Sequence, residues 1–300
     1  MRIGIFGGDT QGRNIDQIVT AAREAEAAGF ASYWLPQIFG LDAVTVLGIV
    51  GREVPRIELG TAVVPTYPRH PGMLAGQALT TAAASGGRFV LGIGLSHQIV
   101  VESMWGMSYD KPARHMREYL AILLPLLREG NVSFTGETLT MHGPLMVAER
   151  PGVPVMIAAL APRMLELAGG TADGTITWMT GRATLADYIV PNLNSAAERA
   201  GRPTPRVGAS LPVMITSDPD GARSAAAEEF AVYGTLPSYR AMLDREGAAG
   251  PADVAIVGDE GAVGKAIQGL ADAGVTDFVA AEFGNASARS RTREYLRTLI

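Results

Sequence analysis

The sequence predicts a (β/α)8 barrel, in which parallel strands alternate with helices around a closed sheet. Short runs of β-branched and other apolar residues alternate along the chain with longer, alanine-rich runs. This alternation is typical of parallel strands joined by helices. It recurs eight times over 300 residues, a length at which α/β barrels commonly form one domain.

Strands are predicted at the apolar runs. They are Arg2–Gly7, Ser32–Leu35, Glu58–Val64, Phe89–Gly94, Val155–Ala159, Gly174–Thr177, Val207–Thr216 and Phe278–Ala281. Helices are predicted between and after them. They are Asn14–Ala28, Asp42–Gly51, Gly72–Ala84, Ala113–Arg128, Pro162–Leu167, Leu185–Ala200, Pro219–Ala231 with Pro237–Arg245, Ala262–Ala273 and Ala288–Ile300. Residues 1–300 are therefore expected to form a single barrel domain.

One repeated pattern supports this assignment. At residues 26–34 and again at 272–279, a helix ends at a glycine and a short turn leads into an apolar strand. A Rossmann-type open sheet is the alternative fold. It is disfavoured because the first strand-to-helix turn, Gly7 to Gly12, lacks the G-x-G-x-x-G spacing of dinucleotide-binding turns.

Two insertions, around residues 131–150 and 231–253, exceed a minimal barrel. The first is predicted to contain a polar hairpin over 131–146, with strands at 132–135 and 138–141 and a turn at Gly136 and Glu137. An insertion at this point of a barrel can cover the active site as a lid. Ordinary elaboration of the surface is the alternative, and the sequence leaves the choice open.

Composition excludes several classes of function. The formal net charge of −5 gives no electrostatic reason to bind nucleic acid or an anionic membrane. The absence of cysteine excludes disulfides, thiolate metal ligands and thiol nucleophiles. No apolar run reaches the ~20 residues of a membrane span, and Met1 leads directly into a strand without a signal peptide. We therefore expect a soluble, cytoplasmic protein that acts on a small molecule.

Polar residues at the carboxyl ends of the strands are the candidate catalytic groups, because barrel active sites lie there. Asp9 follows the first strand, Gln37 the second and His97 the fourth. His97 can donate to a carbonyl or move a proton, whereas Gln37 can form hydrogen bonds but cannot titrate. A histidine that only shapes its loop is the alternative for His97. Asp9 and His97 are too few to form a metal site.

The other histidines are not expected in the site. His70, which precedes Pro71, is expected to cap or orient a helix start. His115 is expected on a helix surface and His142 in the hairpin.

The segment from Glu58 to His97 has the most specific pattern in the chain. It combines Leu59-Gly60-Thr61 in one strand, Arg69-His70-Pro71 at a helix start, and Ser85-Gly86-Gly87-Arg88-Phe89 before Leu91-Gly92-Ile93-Gly94. This combination resembles the luciferase-like monooxygenases and, within them, the oxidoreductases that depend on the deazaflavin coenzyme F420. The resemblance extends from Met1 to about Phe283. It implies a barrel of the bacterial luciferase-like type.

The resemblance also implies a cofactor site at the strand ends, with a non-prolyl cis peptide at Ala62–Val63 behind the cofactor ring. The expected cofactor contacts are Ala62, Val63, Val64, Gly94, Ser96, His97, Ala159, Leu160, Ala161, Pro162, Arg163, Trp178, Gly181 and Arg182. Gly94 would let the backbone approach a flat ligand closely.

Phosphate binding is expected at Ala159–Arg163, where a proline opens a helix and an arginine lies in its first turn. Gly181 and Arg182 offer a second anion contact. An ordinary helix start with a surface arginine is the alternative.

The function implied by the resemblance is hydride transfer between C5 of coenzyme F420 and a small organic substrate. With FMN instead, the same fold would support monooxygenation, and cofactor binding without turnover is a third possibility. One departure matters, because many relatives carry an acidic residue and a histidine where this chain has Gln37-Ile38-Phe39. Their proton-transfer scheme therefore does not carry over. A homodimer is the default expectation for a soluble oligomer.

Overall fold

Parallel pairing of the predicted strands gives the chain the architecture of a (β/α)8 barrel with surrounding helices, and the predicted fold class is confirmed. The structure is a computed structural model that describes residues 1–8 and 10–300. Asp9, one of the predicted catalytic residues, lies outside the described residues.

The strands are β1 (Arg2–Phe6), β2 (Ser32–Leu35), β3 (Glu58–Thr61), β4 (Val64–Pro65), β5 (Phe89–Gly94), β6 (Asn131–Thr135), β7 (Thr140–Pro144), β8 (Val155–Ile157), β9 (Gly174–Trp178), β10 (Arg206–Ile215), β11 (Ile256–Gly258) and β12 (Asp277–Glu282). The helices are α1 (Ile15–Ala27), α2 (Ala43–Glu53), α3 (Pro71–Ala84), α4 (Pro112–Arg128), α5 (Pro162–Gly170), α6 (Arg182–Thr184), α7 (Val190–Arg199), α8 (Pro219–Glu229), α9 (Pro237–Glu246), α10 (Glu260–Asp272) and α11 (Ala286–Arg297). Short π-helical turns lie at Val100–Met104 and Leu185–Ile189, and 3₁₀ turns at Ala231–Gly234 and Pro251–Val254.

The chain divides into two compact units. The N-terminal unit contains the described residues of 10–23 and 35–158, and the C-terminal unit contains residues 1–8, 24–34 and 159–300. A single domain over the whole chain stays a prediction. None of the described helices combines the length and the hydropathy that crossing a membrane requires.

In the N-terminal unit, β5 is the central strand. It pairs in parallel with β3, β4 and β8. All six residues of β5 are buried, as expected for a parallel strand covered on both faces. Helices α2, α3 and α4 pack in sequence, α2 against α3 and α3 against α4.

In the C-terminal unit, β1 lies between β12 and β2, and β12 pairs with the long strand β10. The first half of β10 pairs with β9 through Arg206–Ser210, and its last residues, Val213–Ile215, pair with β11. Strand β11 is absent from the predicted strands, because a run of three residues is too short to stand out from the insertion before it.

Two predicted strands need correction. The strand predicted at Glu58–Val64 is interrupted between β3 and β4 by the Ala62–Val63 peptide. The hairpin of β6 and β7 is confirmed, but its second strand begins at Thr140 and not at Thr138. The reason is Glu118 on α4, whose carboxylate accepts hydrogen bonds from the backbone amides of residues 137–139 at 2.9–3.0 Å. These residues form the turn. A lid role for either insertion stays a prediction.

Glu118→Gln is expected to lower the free energy of unfolding by about 1–3 kcal/mol, because a neutral amide replaces a carboxylate that accepts several charge-assisted hydrogen bonds. The carboxylate is 5% exposed, so water cannot replace the lost bonds. Urea unfolding at pH 7 measures the change. Glu149→Gln is the matched control, because Glu149 is exposed.

The effect of Glu118→Gln on the free energy of unfolding is expected to depend on pH. Burial alone would raise the pKa of Glu118, but the hydrogen bonds from Thr138 and Leu139 hold it below its ordinary value. A lowered carboxyl pKa contributes stability above the unfolded pKa, and this stability is lost as pH falls through the folded pKa. The stabilities of wild type and variant should therefore converge in acid. Equal stability at pH 7 would contradict this role.

Candidate active site

The segment between β3 and β4 forms one wall of the candidate site in the N-terminal unit. Its Ala62–Val63 peptide is cis, as the resemblance implies. The Ala62 amide donates to the Leu35 carbonyl at 2.8 Å, and the Val63 carbonyl accepts from the Gln37 amide at 3.2 Å. Ala62 and Val63 are half-buried, whereas Val64 is fully buried. The segment is thus fixed to the carboxyl end of β2 and keeps part of its apolar surface accessible.

Two glycines of β5 make room for this segment. A Cβ at Gly92 would lie 1.9 Å from the Thr61 carbonyl oxygen. A Cβ at Gly94 would lie 2.7 Å from Cγ2 of Val63 and 3.3 Å from Cβ of Ala158. The sequence predicts that Gly94 leaves space for a flat ligand. Where a Cβ of Gly94 would lie, Val63 and Ala158 fill the space. A cofactor contact of Gly94 stays a prediction.

The carboxamide of Gln37 has a fixed orientation. Its Oε1 accepts from the Ala43 amide at 2.7 Å and from Nη2 of Arg69 at 3.5 Å. The Nε2 group makes no hydrogen bond within the described part of the chain, so Gln37 is arranged as a donor.

Arg69 is itself neutralised by an ion pair with Asp42, which caps α2 through the Thr45 amide at 2.8 Å. Burial alone would raise the pKa of Asp42, but the hydrogen bonds from Arg69 and Thr45 hold it below its ordinary value.

His97 lies in the loop that follows β5, directly after Ser96. Ser96 has φ of 60°, a left-handed conformation that residues other than glycine rarely adopt. The His97 carbonyl accepts from the amides of Val100 and Val101 at 2.9 and 3.0 Å, so its backbone shapes the loop. Burial lowers the pKa of the half-buried imidazole, which is therefore neutral at pH 7. A neutral imidazole can accept a proton at one ring nitrogen and donate a hydrogen bond from the other.

Of the other histidines, His115 departs from the prediction. It is 8% exposed, and its ring stacks on Tyr67 with 4.0 Å between centroids and 5° between planes. Its Nε2 lies 3.1 Å from Oγ1 of Thr66. Local sequence around His115 is polar, so its burial under the end of β4 could not be predicted.

The predictions for the two remaining histidines are confirmed. Nδ1 of His70 accepts from the Gly72 amide at 3.2 Å, which caps α3. His142 lies in the hairpin, with hydrogen bonds to Ser133 and Thr135.

Tyr67 and Tyr109 form an aromatic pair beside the candidate site, a contact that no local pattern predicts. Their rings stack with 5.3 Å between centroids and 27° between planes. The Tyr109 hydroxyl donates to the Ser96 carbonyl at 3.4 Å. Two aromatic side chains that follow different strands thus meet beside the loop of His97. Their roles could have been suspected only from their positions after strand ends, since no spacing links them.

In the C-terminal unit, the predicted phosphate-binding segment opens α5. Ala159 is buried and Leu160 half-buried, whereas Ala161, Pro162 and Arg163 are exposed. No side chain caps this helix start. The Arg163 guanidinium has no hydrogen bond or ion pair to another described residue, so it is available to an anion.

The next predicted contacts, Gly181 and Arg182, lie at a helix start that the protein already caps. The Glu246 carboxylate accepts from the amides of Ala183 and Thr184 at 2.9 and 2.6 Å. A Cβ at Gly181 would lie 2.2 Å from this carboxyl group. The amides of Ala183 and Thr184 are therefore already bonded to Glu246. An anion contact of Gly181 and Arg182 stays a prediction.

Trp178 ends β9 in the same unit. Its ring stacks on Phe6 at 5.4 Å and 16°, and contacts Phe230 and Tyr233 edge-on. Its Nε1 is buried without a hydrogen-bond partner. The indole therefore keeps one donor unused by the described residues. Among those residues, no cluster of three or more histidine, aspartate or glutamate side chains could hold a metal ion.

Many unrelated enzymes share the (β/α)8 barrel, so the family follows from similarity to known proteins and not from the fold alone. Residues 1–297 match the model of the luciferase-like monooxygenase family, and the chain belongs to that family. An uncharacterized protein of Mycobacterium tuberculosis is 31% identical over 247 residues, which cover 75% of this chain and 72% of that protein.

A second relative is the F420-dependent glucose-6-phosphate dehydrogenase of Kineococcus radiotolerans. It is 26% identical over 290 residues, covering 86% of this chain and 84% of the relative. Among solved structures, the coenzyme F420-dependent tetrahydromethanopterin reductase of Methanopyrus kandleri has a TM-score of 0.84 at 21% identity, with 99% and 97% of the two chains covered. At this identity the structural match supports the fold.

Gly94→Ala is expected to destabilise the protein by about 1–3 kcal/mol, because the new methyl group would overlap the side chain of Val63 in a closely packed contact. Thermal unfolding measures the loss. Gly152→Ala is the matched control, since a Cβ at Gly152 would meet nothing within 4 Å. A Gly94→Ala protein as stable as the control would refute the packing role of Gly94.

His115→Phe is expected to reduce the loss of stability in acid. Burial lowers the pKa of His115 to about 4, although Glu118 opposes this, against an ordinary value of 6.5. Between these values the unfolded chain binds the proton and the folded chain does not, so stability falls as pH falls from 6.5 to 4. At pH 4 the loss due to His115 is about 3 kcal/mol.

Urea unfolding of wild type and His115→Phe at several pH values between 7 and 4 tests this expectation. His142→Gln is the control, because it removes a histidine from the exposed hairpin and not from the ring stack. If wild type and His115→Phe lose stability equally over this range, the imidazole of His115 is not the group responsible.

Proposed function

We propose that this protein is a coenzyme F420-dependent oxidoreductase that transfers a hydride between the deazaflavin and a small organic molecule. Family membership supports it, as do F420-dependent relatives that span most of the chain. The observation that carries the choice of F420 is the F420-dependent relative that covers 86% of this chain, and the orientation of Gln37 adds a donor suited to the cofactor ring. The Oε1 atom of Gln37 is already bonded to Ala43 and Arg69, so its amide N–H groups remain as neutral donors at the end of β2.

The N-terminal unit offers groups that fit a flat, uncharged ring with carbonyl oxygens. Gln37 would donate to such an oxygen, and the half-buried Ala62 and Val63 would contact the ring, with Val64 buried behind them. When bound, coenzyme F420 supplies a pair of electrons as a hydride. The protein supplies orientation and a surface that excludes water.

Proton movement is assigned to His97. Its imidazole is neutral because burial lowers its pKa, so it can take the proton of a substrate hydroxyl as the hydride leaves the substrate carbon, and the imidazolium formed returns that proton in the reverse reaction. Gln37 cannot do this, because a carboxamide does not titrate. Asp9 stays a predicted catalytic residue. Phosphate binding by Ala159–Arg163, a cytoplasmic location and a homodimer likewise stay predictions.

FMN-dependent monooxygenation is the second candidate function, and the description of the family favours it. Both cofactors present a planar ring with carbonyl oxygens, so the donor at Gln37 would serve either. Binding of a cofactor without turnover is the third candidate. Cofactor preference and turnover separate the three.

Titration of the purified protein with coenzyme F420 and with FMN, followed by quenching of cofactor fluorescence, is expected to give tighter binding of F420. Gln37→Glu should weaken it about tenfold or more, because it keeps an acceptor for Ala43 but loses the donor and adds a negative charge. His97→Ala should retain cofactor binding and lose turnover on alcohols, enones or imines. His142→Ala is the matched control for loss of a histidine.

Each other result has a definite meaning. Preference for FMN, with oxygen uptake, would replace the proposal with monooxygenation. Tight F420 binding without turnover on the whole substrate panel would indicate a carrier. Binding of neither cofactor would refute the proposed function.

A further inference from the structure

A buried phenol in the N-terminal unit has no role in the chemistry described so far. Tyr67 directly follows Thr66 at the end of β4 and is 8% exposed. Its hydroxyl oxygen is buried and has no hydrogen-bond partner among the described residues. A buried donor without a partner costs free energy, so native proteins rarely keep one without a reason.

Two stacking contacts hold the ring of Tyr67. It stacks on His115, at 4.0 Å, and on Tyr109, at 5.3 Å between centroids. Its neighbour Thr66 donates its amide to the Gly94 carbonyl at 2.9 Å and bonds His115 through Oγ1 at 3.1 Å. Such a fixed donor is preorganised for a ligand acceptor.

The ring of Tyr67 contacts a residue that is bonded to the loop carrying His97. Tyr109, which stacks on Tyr67, reaches the Ser96 carbonyl with its own hydroxyl. Burial is the largest cause that raises the pKa of Tyr67, and Tyr109, Asp110 and Glu102 add to it. All three lie in the segment after Ser96, in agreement with the stacking of Tyr67 on Tyr109. The phenol keeps its proton and acts as a donor.

The side chains of residues 95–111 indicate which class of ligand the Tyr67 hydroxyl can bind. Ile99, Met104 and Met107 are exposed there at 64%, 59% and 38%. The carboxylates of Glu102 and Asp110 outnumber the one cation of the segment, Lys111. Such a surface favours an apolar, uncharged molecule and repels an anion.

We propose that Tyr67 is a substrate-binding residue that donates its phenolic hydrogen to the carbonyl oxygen of an uncharged, largely apolar substrate. The inference rests on the proposed function and narrows its substrate class to neutral carbonyl compounds and the alcohols related to them by hydride transfer. Phosphorylated substrates are excluded from this class, because Glu102 and Asp110 would repel them.

Acetophenone and α-methylstyrene are the probes, because they share one shape and differ in the carbonyl oxygen. With the F420-loaded wild-type protein, acetophenone should bind about tenfold more tightly than α-methylstyrene. Tyr67→Phe should bind the two equally. Glucose 6-phosphate, the anionic probe, should bind more weakly than acetophenone to the wild type.

Tyr119→Phe is the matched control. Tyr119 is fully buried, its hydroxyl also lacks a partner, and its ring lies 5.7 Å from the same His115. It lies within α4, however, and not at a strand end. Tyr119→Phe should keep the wild-type preference for acetophenone. Without ligand, both variants should unfold at or above the wild-type temperature, because each removes an unsatisfied hydroxyl.

Three results would overturn the inference: a Tyr67→Phe protein that still prefers acetophenone, a wild type that does not discriminate between the probes, or tighter binding of glucose 6-phosphate. A ligand-free Tyr67→Phe protein clearly less stable than Tyr119→Phe would also overturn it, since the hydroxyl would then have an internal partner. Titration of the same proteins with F420 separates this inference from the proposed function, because a wild type that binds and turns over with F420 but does not discriminate between the probes would overturn the inference alone.

Discussion

The candidate site of the N-terminal unit depends on the close packing of β5 against the segment that joins β3 to β4. Neither Gly92 nor Gly94 leaves space for a side chain, and Oγ1 of Thr61 bonds both the amide and the carbonyl of Gly92 at 2.8 Å. This contact fixes Val63, whose carbonyl holds the Gln37 backbone. The orientation of the site thus depends on the absence of side chains at Gly92 and Gly94 and on the hydroxyl group of Thr61.

The polar groups around this contact carry no net charge at pH 7. Gln37 cannot titrate, and burial lowers the pKa of His97 and of His115, so both imidazoles are uncharged at pH 7. The nearby charges of Arg69 and Asp42 neutralise each other. Hydride transfer to or from an uncharged carbon requires oriented neutral donors more than a strong acid or base. These neutral groups can orient an uncharged ring or carbonyl group without placing a net charge beside it.

Local patterns predicted much of the fold but little of the site geometry. The bounds of Ser32–Leu35 and Phe89–Gly94 were predicted correctly, because each is an apolar run with a clear end. The capping role of His70 was equally local. The burial of His115 depends instead on Tyr67, and the start of β7 depends on the carboxylate of Glu118. These contacts join residues distant in sequence, which periodicity cannot detect.

Two hydrogen-bond donors at strand ends are buried without a partner in the described part of the chain, which costs stability and leaves them free to bind a ligand. Tyr67 follows β4 and Trp178 ends β9, and each keeps a buried donor with no partner among the described residues. Tyr119 shows that such a donor is not by itself a sign of binding, because it lies inside the core within α4. The position makes the difference, since barrel enzymes bind their ligands at the carboxyl ends of strands. A donor that destabilises the ligand-free protein at such an end is best explained by an acceptor that arrives with the ligand.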